Sequence, residues 1–207
     1  MEVQAKRRAA GDWPVADFAN KKVRRLPLEA VVEPDIQDPK GAHEALRYMR
    51  MADFLKTEKW HDQQHRADRE GAHLEIVEFE KAFIRRFKKL GVPMYAHCVM
   101  RDANTQQFLY DTGKSKATPG KSPHNHGFAV DLVHGHRHWD MPKVCWDLIG
   151  EIGYEVAARL GIEIEWGGEW NFYDPAHWQI AMWKHRKKEA HERYLTGSEI
   201  AKLWGLE

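Results

Sequence analysis

The sequence predicts an α+β fold in which a small, mainly antiparallel sheet packs with helices. Three observations point there. Apolar residues recur at helical spacing over 70–90 and 141–160. Short runs at 92–100, 128–133, 162–166 and 176–183 have strand character. The connections are short and show no regular β-α-β alternation, which favours α+β over α/β.

Each element has a local reason. Residues 1–40 carry Pro14, Pro27, Pro34 and Pro39 among mixed charges, which suits an extended arm. Residues 41–65 read as helical, with Leu46, Met49 and Phe54 inward. In the 70–90 helix, Ile76, Phe79, Phe83, Phe87 and Leu90 form one face, and Gly91 with Pro93 stops it. After the 92–100 strand, Asp102 or Asn104 caps a short helix through Tyr110. The loop 113–121 leads into the strand 128–133, which carries Asp131 inward. Asp140 as N-cap and Pro142 in the first turn open the helix 141–160, with Trp146, Ile149, Val156 and Leu160 on one side and Gly161 closing it. The pair Gly167-Gly168 reads as a turn, and Ser198 as the cap of a terminal helix. The expected organisation is an N-terminal extension over 1–65, a principal domain over 66–183 and a helical tail over 184–207, with no internal repeat.

Composition narrows the function classes. A chain of 207 residues with 43% apolar and 30% charged residues is long enough for one domain with a core. A net charge of +1 excludes a general nucleic-acid binder. The basic run 184–188 reads as the solvated face of a helix that also favours an anionic surface. Two cysteines, Cys98 and Cys145, make no disulfide framework and read as buried free thiols. No run is long enough for a membrane span, and the first residues lack the apolar segment of a signal peptide. Synthesis in a cytoplasm, as a monomer, is the expectation.

Two segments carry the chemistry: Ser122-Pro-His-Asn-His-Gly-Phe-Ala-Val-Asp131 and Asp174-Pro-Ala-His177-Trp-Gln179. They offer histidine and aspartate ligands for a zinc ion, with Asp174 left over as a base. Three protein ligands and an open position make a catalytic rather than a structural zinc. A closed structural zinc usually takes cysteine thiolates, and neither Cys98 nor Cys145 has a metal-type partner nearby in sequence. The spacing imposes a condition. On a straight helix His124 and Asp131 would lie about 10 Å apart, and on a straight strand about 23 Å apart on opposite faces. Neither suits ligands at roughly 2 Å from one ion, so the chain must bend between them, where Pro123 and Gly127 stand. Asp174 and His177, three apart across Pro175, share one side of a turn. With 13 histidines a matching pair can arise by chance, so His43, His61, His65, His73, His185 and His191 are read as ordinary residues. His134, His136 and His138 alternate and suggest a second metal patch or, more simply, a polar loop.

The pattern Ser-x-His-x-x-Gly-x-Ala-x-Asp, then Trp-Gly-Gly-x-Trp, then Asp-x-x-His-aromatic-Gln resembles the zinc D-Ala-D-Ala carboxypeptidase and L-Ala-D-Glu endopeptidase family. That family includes phage endolysins and shares its fold with the hedgehog signalling domain. The matching stretches are 122–131, 165–170 and 174–179, and the resemblance spans roughly 70–182. It implies a hedgehog/DD-peptidase-like fold, with one catalytic Zn2+ on His124, Asp131 and His177. His124 is favoured over His126, which then lines the pocket. Asp174 is implied as general base. Arg101, at the family arginine but without its flanking Ser, Gly and Tyr, would stabilise an oxyanion or hold a substrate carboxylate. Ser122, His126 and Trp178 are the candidates for substrate contact; the default for Trp166, Trp170, Trp178 and Trp183 is core packing. The implied substrate is a peptidoglycan stem peptide. Asp174 and the following His-Trp-Gln lean towards endopeptidase and lysin members. The alternatives are a D-Ala-D-Ala carboxypeptidase and a non-catalytic zinc-containing cell-wall-binding module. Action on a wall requires a release route, such as a phage holin.

Overall fold

A computed structural model describes residues 39–188 and 193–204. Residues 1–38 of the arm expected over 1–40 therefore lie outside the described residues, as do 189–192 and the last three positions. The elements are α1 (Ala42–Met49), α2 (Glu58–His65), α3 (Leu74–Lys89), β1 (Met94–Cys98), α4 (Ala103–Asp111), β2 (Ala129–His134), α5 (Lys143–Leu160), β3 (Ile164–Trp166), β4 (His177–Ile180), α6 (Trp183–Arg186) and α7 (Gly197–Trp204). Short 3-10 turns occupy Phe54–Lys56, Pro123–His126 and Gly167–Glu169. The four strands form one sheet in the order β1-β2-β4-β3, with every pair antiparallel. This is the α+β architecture that the sequence predicts.

Register decides which side chains face which way. Val130 opposes Trp178, and Trp166 opposes Trp178. Opposed residues share a face, so these apolar groups line one side of the sheet. Helices α3 and α5 cover that side: Phe79 and Phe83 pack on Trp178, and the Tyr154 ring stands edge-on to it. Trp166 stacks on Trp178 with ring centroids 5.7 Å apart. Helix α5 reaches this pair through a glycine. A Cβ at Gly153 would overlap the Trp178 ring, so the missing side chain is what lets helix and sheet approach. Helices α1 and α2 join the same core through Ala45, Met49 and Trp60.

The boundaries differ from expectation for physical reasons. The helix expected from residue 70 begins at Leu74, with the His73 side chain accepting from Glu75 N–H as its cap. The preceding loop is held by Arg69, whose buried guanidinium pairs with the buried Glu80 at 2.6 Å and donates to the carbonyls of Ala67 and Gln64. Helix α5 begins at Lys143 with Pro142 at the cap and no side-chain bond, so Asp140 does not cap it. Leu160 is 42% exposed, outside the buried face of Trp146, Ile149 and Val156. Strand β4 ends at Ile180: Met182 turns left-handed, with φ 55°, and Trp183 starts α6. Asp102, not Asn104, caps α4 by accepting from Thr105 N–H. Thr196, not Ser198, opens α7: its hydroxyl accepts from Glu199 N–H while Glu199 accepts from Thr196 N–H, a reciprocal capping box. Among the described residues no helix is long and apolar enough to cross a membrane.

Gly153→Ala tests the helix–sheet contact. Helix propensity alone would stabilise by about 1 kcal/mol, whereas overpacking costs about 1–3 kcal/mol and sometimes more. The overlap is with a ring wedged between neighbours, so net destabilisation is expected in urea unfolding. A gain in stability would refute the close approach.

Candidate active site

The face of the sheet opposite the tryptophan pair carries the polar residues. Asp131 opposes His177, Ala129 opposes Gln179, and Glu165 opposes Gln179. Asp131, His177, Gln179 and Glu165 therefore share one face by register alone. His124 arrives from the 3-10 turn Pro123–His126, which Gly127 ends in the left-handed region, φ 72°. A Cβ on Gly127 would meet the backbone of Gly71 and Ala72 at 2.6–2.7 Å. Only glycine suits both the dihedral and the space. The bend that the His124–Asp131 spacing demands is made here.

Three atoms then converge. His124 Nε2 lies 3.1 Å from Asp131 Oδ1 and 3.2 Å from His177 Nδ1, and His177 Nδ1 lies 3.1 Å from Asp131 Oδ1. Ligands at about 2.0–2.2 Å on a tetrahedral zinc stand about 3.3–3.6 Å from one another, close to this triangle. The outer nitrogens settle the tautomers. His124 Nδ1 donates to Val99 O at 2.9 Å. His177 Nε2 donates to Gln179 Oε1 at 3.1 Å, and that amide is oriented because its Nε2 donates to Glu165 Oε2 at 2.6 Å. Both inner nitrogens are left with lone pairs that face each other and a carboxylate oxygen. Such a cluster of acceptors calls for a cation, and the residues fit zinc in number, atom type and separation.

Charge follows the same geometry. Burial of Asp131 alone would raise its pKa, but the charges and hydrogen bonds of His124 and His177 hold it well below the usual carboxylate range. Burial pushes His124 down, towards the neutral form that binds metal. Burial opposes charge on His177 too, but the hydrogen bond and charge of Asp131, with Asp174 and Gln179, raise it. Asp174 precedes the turn into β4: its N–H donates to Gly167 O at 3.0 Å and its carbonyl accepts from His177 N–H at 3.1 Å. Its carboxylate makes no hydrogen bond among the described residues. Burial first, and then the charge of Asp131, raise its pKa. The spare acid thus stands near the triangle, half-buried and able to carry a proton.

Other expected residues fall differently. Arg101 Nη2 donates to Asp131 Oδ2 at 3.0 Å and Nη1 to Gln106 Oε1 at 3.1 Å. Its guanidinium holds the outer oxygen of Asp131 and thereby aims the inner one. Ser122 is buried ahead of the 3-10 turn. His126 bonds Gly120 O at 3.0 Å and stacks on Trp183, so it faces away from the triangle and does not line it. Trp178 is fully buried on the helix side. It was expected at the substrate, but the two-residue period of β4 turns it from His177. Trp170 takes the wall position instead, 36% exposed with its ring 5.1 Å from that of His177. The second metal patch does not form. His134 Nε2 donates to Met49 O, its Nδ1 accepts from the N–H groups of His136 and Arg137, and burial lowers its pKa to about 4.

Cys98 departs from the buried-thiol reading. It is half-buried, opposes Asp131 across β1–β2, and its Sγ lies 3.8 Å from His124 Nδ1. Cys98, His124 and Asp131 also form a group of three closely spaced ligand types. The Sγ sits behind His124, on its outer nitrogen, and burial with the Asp131 charge pushes the thiol up to about 11. Sequence spacing could not find it, because strand pairing places it. Gln179 was findable: two residues after His177 on a strand is the same face.

Residues 115–180 match the sequence family described as D-alanyl-D-alanine carboxypeptidase. Among solved structures, the Serratia marcescens L-Ala D-Glu endopeptidase ChiX is similar, at 26% identity and a TM-score of 0.45, over 62% of this chain and 91% of that one. The LD-carboxypeptidase LdcB is similar at 16% identity and a TM-score of 0.39, over 63% and 68%. Comparison with curated proteins finds no match. The matched segment, about a third of the chain, holds the three converging side chains and Asp174.

Proposed function

We propose that the protein is a zinc metallopeptidase acting on peptidoglycan stem peptides, with His124, Asp131 and His177 as the metal ligands and Asp174 as the general base. The observation that carries this reading is the convergence of three acceptor atoms beside a carboxylic acid with no bond of its own. A zinc-binding structural or recognition module needs the first and has no use for the second. When bound, zinc supplies Lewis acidity, activating a water and polarising the scissile carbonyl. Asp174 removes the proton of the attacking water and delivers it to the leaving amine. Its raised pKa suits both transfers better than an ordinary carboxylate would. Arg101 fixes Asp131, Val99 and Gln179 fix the two imidazoles, and Trp170 packs against His177 at the exposed side.

Within this class, the sequence Asp174-x-x-His177-Trp-Gln favours an endopeptidase that cuts L-Ala-D-Glu bonds. The description of the matching family favours a second reading, a carboxypeptidase releasing terminal D-Ala. Digestion of purified peptidoglycan by the zinc-loaded protein, with products identified by mass spectrometry, separates them. New N-terminal D-Glu supports the first and free D-Ala the second. An undigested wall would overturn both in favour of a binding module.

Asp174→Ala is expected to retain stoichiometric zinc while kcat falls about 100- to 10,000-fold. Wild-type turnover in that variant would remove the base assignment. Because burial raises the Asp174 pKa, the protein should lose its base on acidification at a higher pH than a free carboxylate, near 3.9, would. In the metal-free protein the Asp174 carboxyl, followed by NMR, should therefore titrate above that value. Gln179→Leu leaves His177 Nε2 without its acceptor, and zinc affinity measured by chelator competition should fall about 10- to 100-fold. An unchanged affinity would show that the bond does not orient the ligand.

A further inference from the structure

The family match ends at residue 180, yet residues beyond it grip the turn that carries His124. They do so at two points. At the first, Trp183, which opens α6 and is 6% exposed, stacks on His126 with ring centroids 5.6 Å apart. Lys187 Nζ stands 3.4 Å from His126 Nε2. Helix α6 is itself held, because Arg186 forks onto the Glu75 carboxylate of α3 at 2.7 and 3.1 Å. His126 is the last residue of the 3-10 turn whose second residue is His124, so a ring fixed here fixes the end of that turn.

The second point is the chain 193–196, which runs beside the loop ahead of α3. Gly71 N–H donates to Leu195 O at 3.0 Å, Leu195 N–H to Ala72 O at 2.9 Å, and Leu74 N–H to Arg193 O at 2.9 Å. Leu195 is 2% exposed, and His73 and Tyr194 form an antiparallel bridge between the two segments. The clamped loop then holds the turn. His73 N–H donates to Gly127 O at 2.9 Å, and the His73 ring stacks on that of Phe128 at 4.9 Å. The Tyr194 ring stands edge-on to both, 5.7 Å from each. Gly127 approaches Gly71 and Ala72 too closely for a Cβ to fit. Close-packed groups transmit displacement, so a shift of the loop reaches Gly127 directly, and His124 lies three residues before it. Helix α7 completes the grip: the Arg69 guanidinium lies over the Trp204 ring at 4.6 Å, and Lys81 Nζ donates to Leu203 O. Inside the site, His124 is held at its ring by Val99 O and at its carbonyl by Arg101 N–H at 3.2 Å. The support at the other end of the turn comes from the C-terminal residues.

We infer that residues 183–187 and 193–196 clamp the 3-10 turn and set the place of His124 in the metal site, with Trp183 and Tyr194 as positioning residues. This rests on the metal reading above. Each acts through a neighbour of His124 and not on the ion.

The test measures the zinc affinity of the full chain by chelator competition, with circular dichroism to show that each variant is folded. Tyr194 is 40% exposed, so Tyr194→Ala should fold. It should bind zinc about tenfold more weakly, the lower end of what the loss of an outer support costs a metal site. Tyr194→Phe keeps both ring contacts and should retain wild-type affinity. Trp183→Leu, which removes the ring stacked on His126, should lose a similar factor. Phe87→Leu is the control. Phe87 is fully buried in the last turn of α3 against Phe83, and its truncation should lower Tm and leave zinc affinity as it was. Cobalt(II) loaded in place of zinc gives a second readout, since its visible absorption depends on ligand geometry. That spectrum should change in Tyr194→Ala and not in Phe87→Leu. Folded Tyr194→Ala and Trp183→Leu proteins with wild-type zinc affinity would overturn the clamp and leave the peptidase reading standing. Equal losses in those variants and in Phe87→Leu would overturn it too, because the effect would then follow stability alone. A wild-type chain that binds no zinc would overturn the metal reading and the clamp with it.

Discussion

The pairing of Asp131 with His177 across β2 and β4 is the constraint on which the rest depends. It sets both strands at once. With these two residues opposed, Val130 and Trp178 are opposed on the reverse face, and the sheet acquires a polar side and an aromatic side. A slip of one residue would put Asp131 and Trp178 on the same face, sending either the carboxylate into the helix-covered core or the indole towards solvent. The core and the site therefore enforce each other. The packing of Phe79, Phe83, Trp166 and Tyr154 on Trp178 is what holds the two polar side chains within 3.1 Å on the far side.

Around that pair the structure spends its buried polar groups on orientation. Val99 O and Gln179 Oε1 each take one imidazole proton, so the inner nitrogens keep their lone pairs. Arg101 takes the outer oxygen of Asp131, and Gln106 in turn holds Arg101 while tying α4 to the carbonyl of Ala117. Preorganisation of this kind matters at a metal centre because a small rotation of a ligand changes the geometry offered to the ion. Elsewhere the buried Arg69–Glu80 pair does the same for the backbone, fastening the segment before α3 that Gly127 packs against.

The legible part of the site was local. The His124–Asp131 separation forces a bend, and Pro123 with Gly127 shows where. The Asp174–His177 spacing forces a turn. Strand-like and helix-like periods give the elements within a few residues. What escaped was contact between distant segments. Trp178 follows a candidate ligand, and adjacency suggested the pocket; alternation along β4 buries it. Cys98 had no neighbour of metal-binding type in sequence, and β1–β2 pairing brings it behind His124. His126 sits two residues from His124, but the tight 3-10 turn sends it to Gly120 and Trp183.

The sequence by itself determined the fold class, the order of elements and the two segments that carry the chemistry, because periodicity, turn residues and short spacings act over a few residues. Only the tertiary structure decided the roles within the site. Which nitrogen of each histidine is free, what Arg101 grips, and that Cys98 opposes Asp131 follow from strand register and one bulge. Those depend on pairings between residues 25 to 85 positions apart, such as His124 with Val99 and Cys98 with Asp131, or Tyr95 with His138 and His134 with Met49. No local pattern encodes a pairing of that range, since its register is chosen by burying one face of the whole sheet at once.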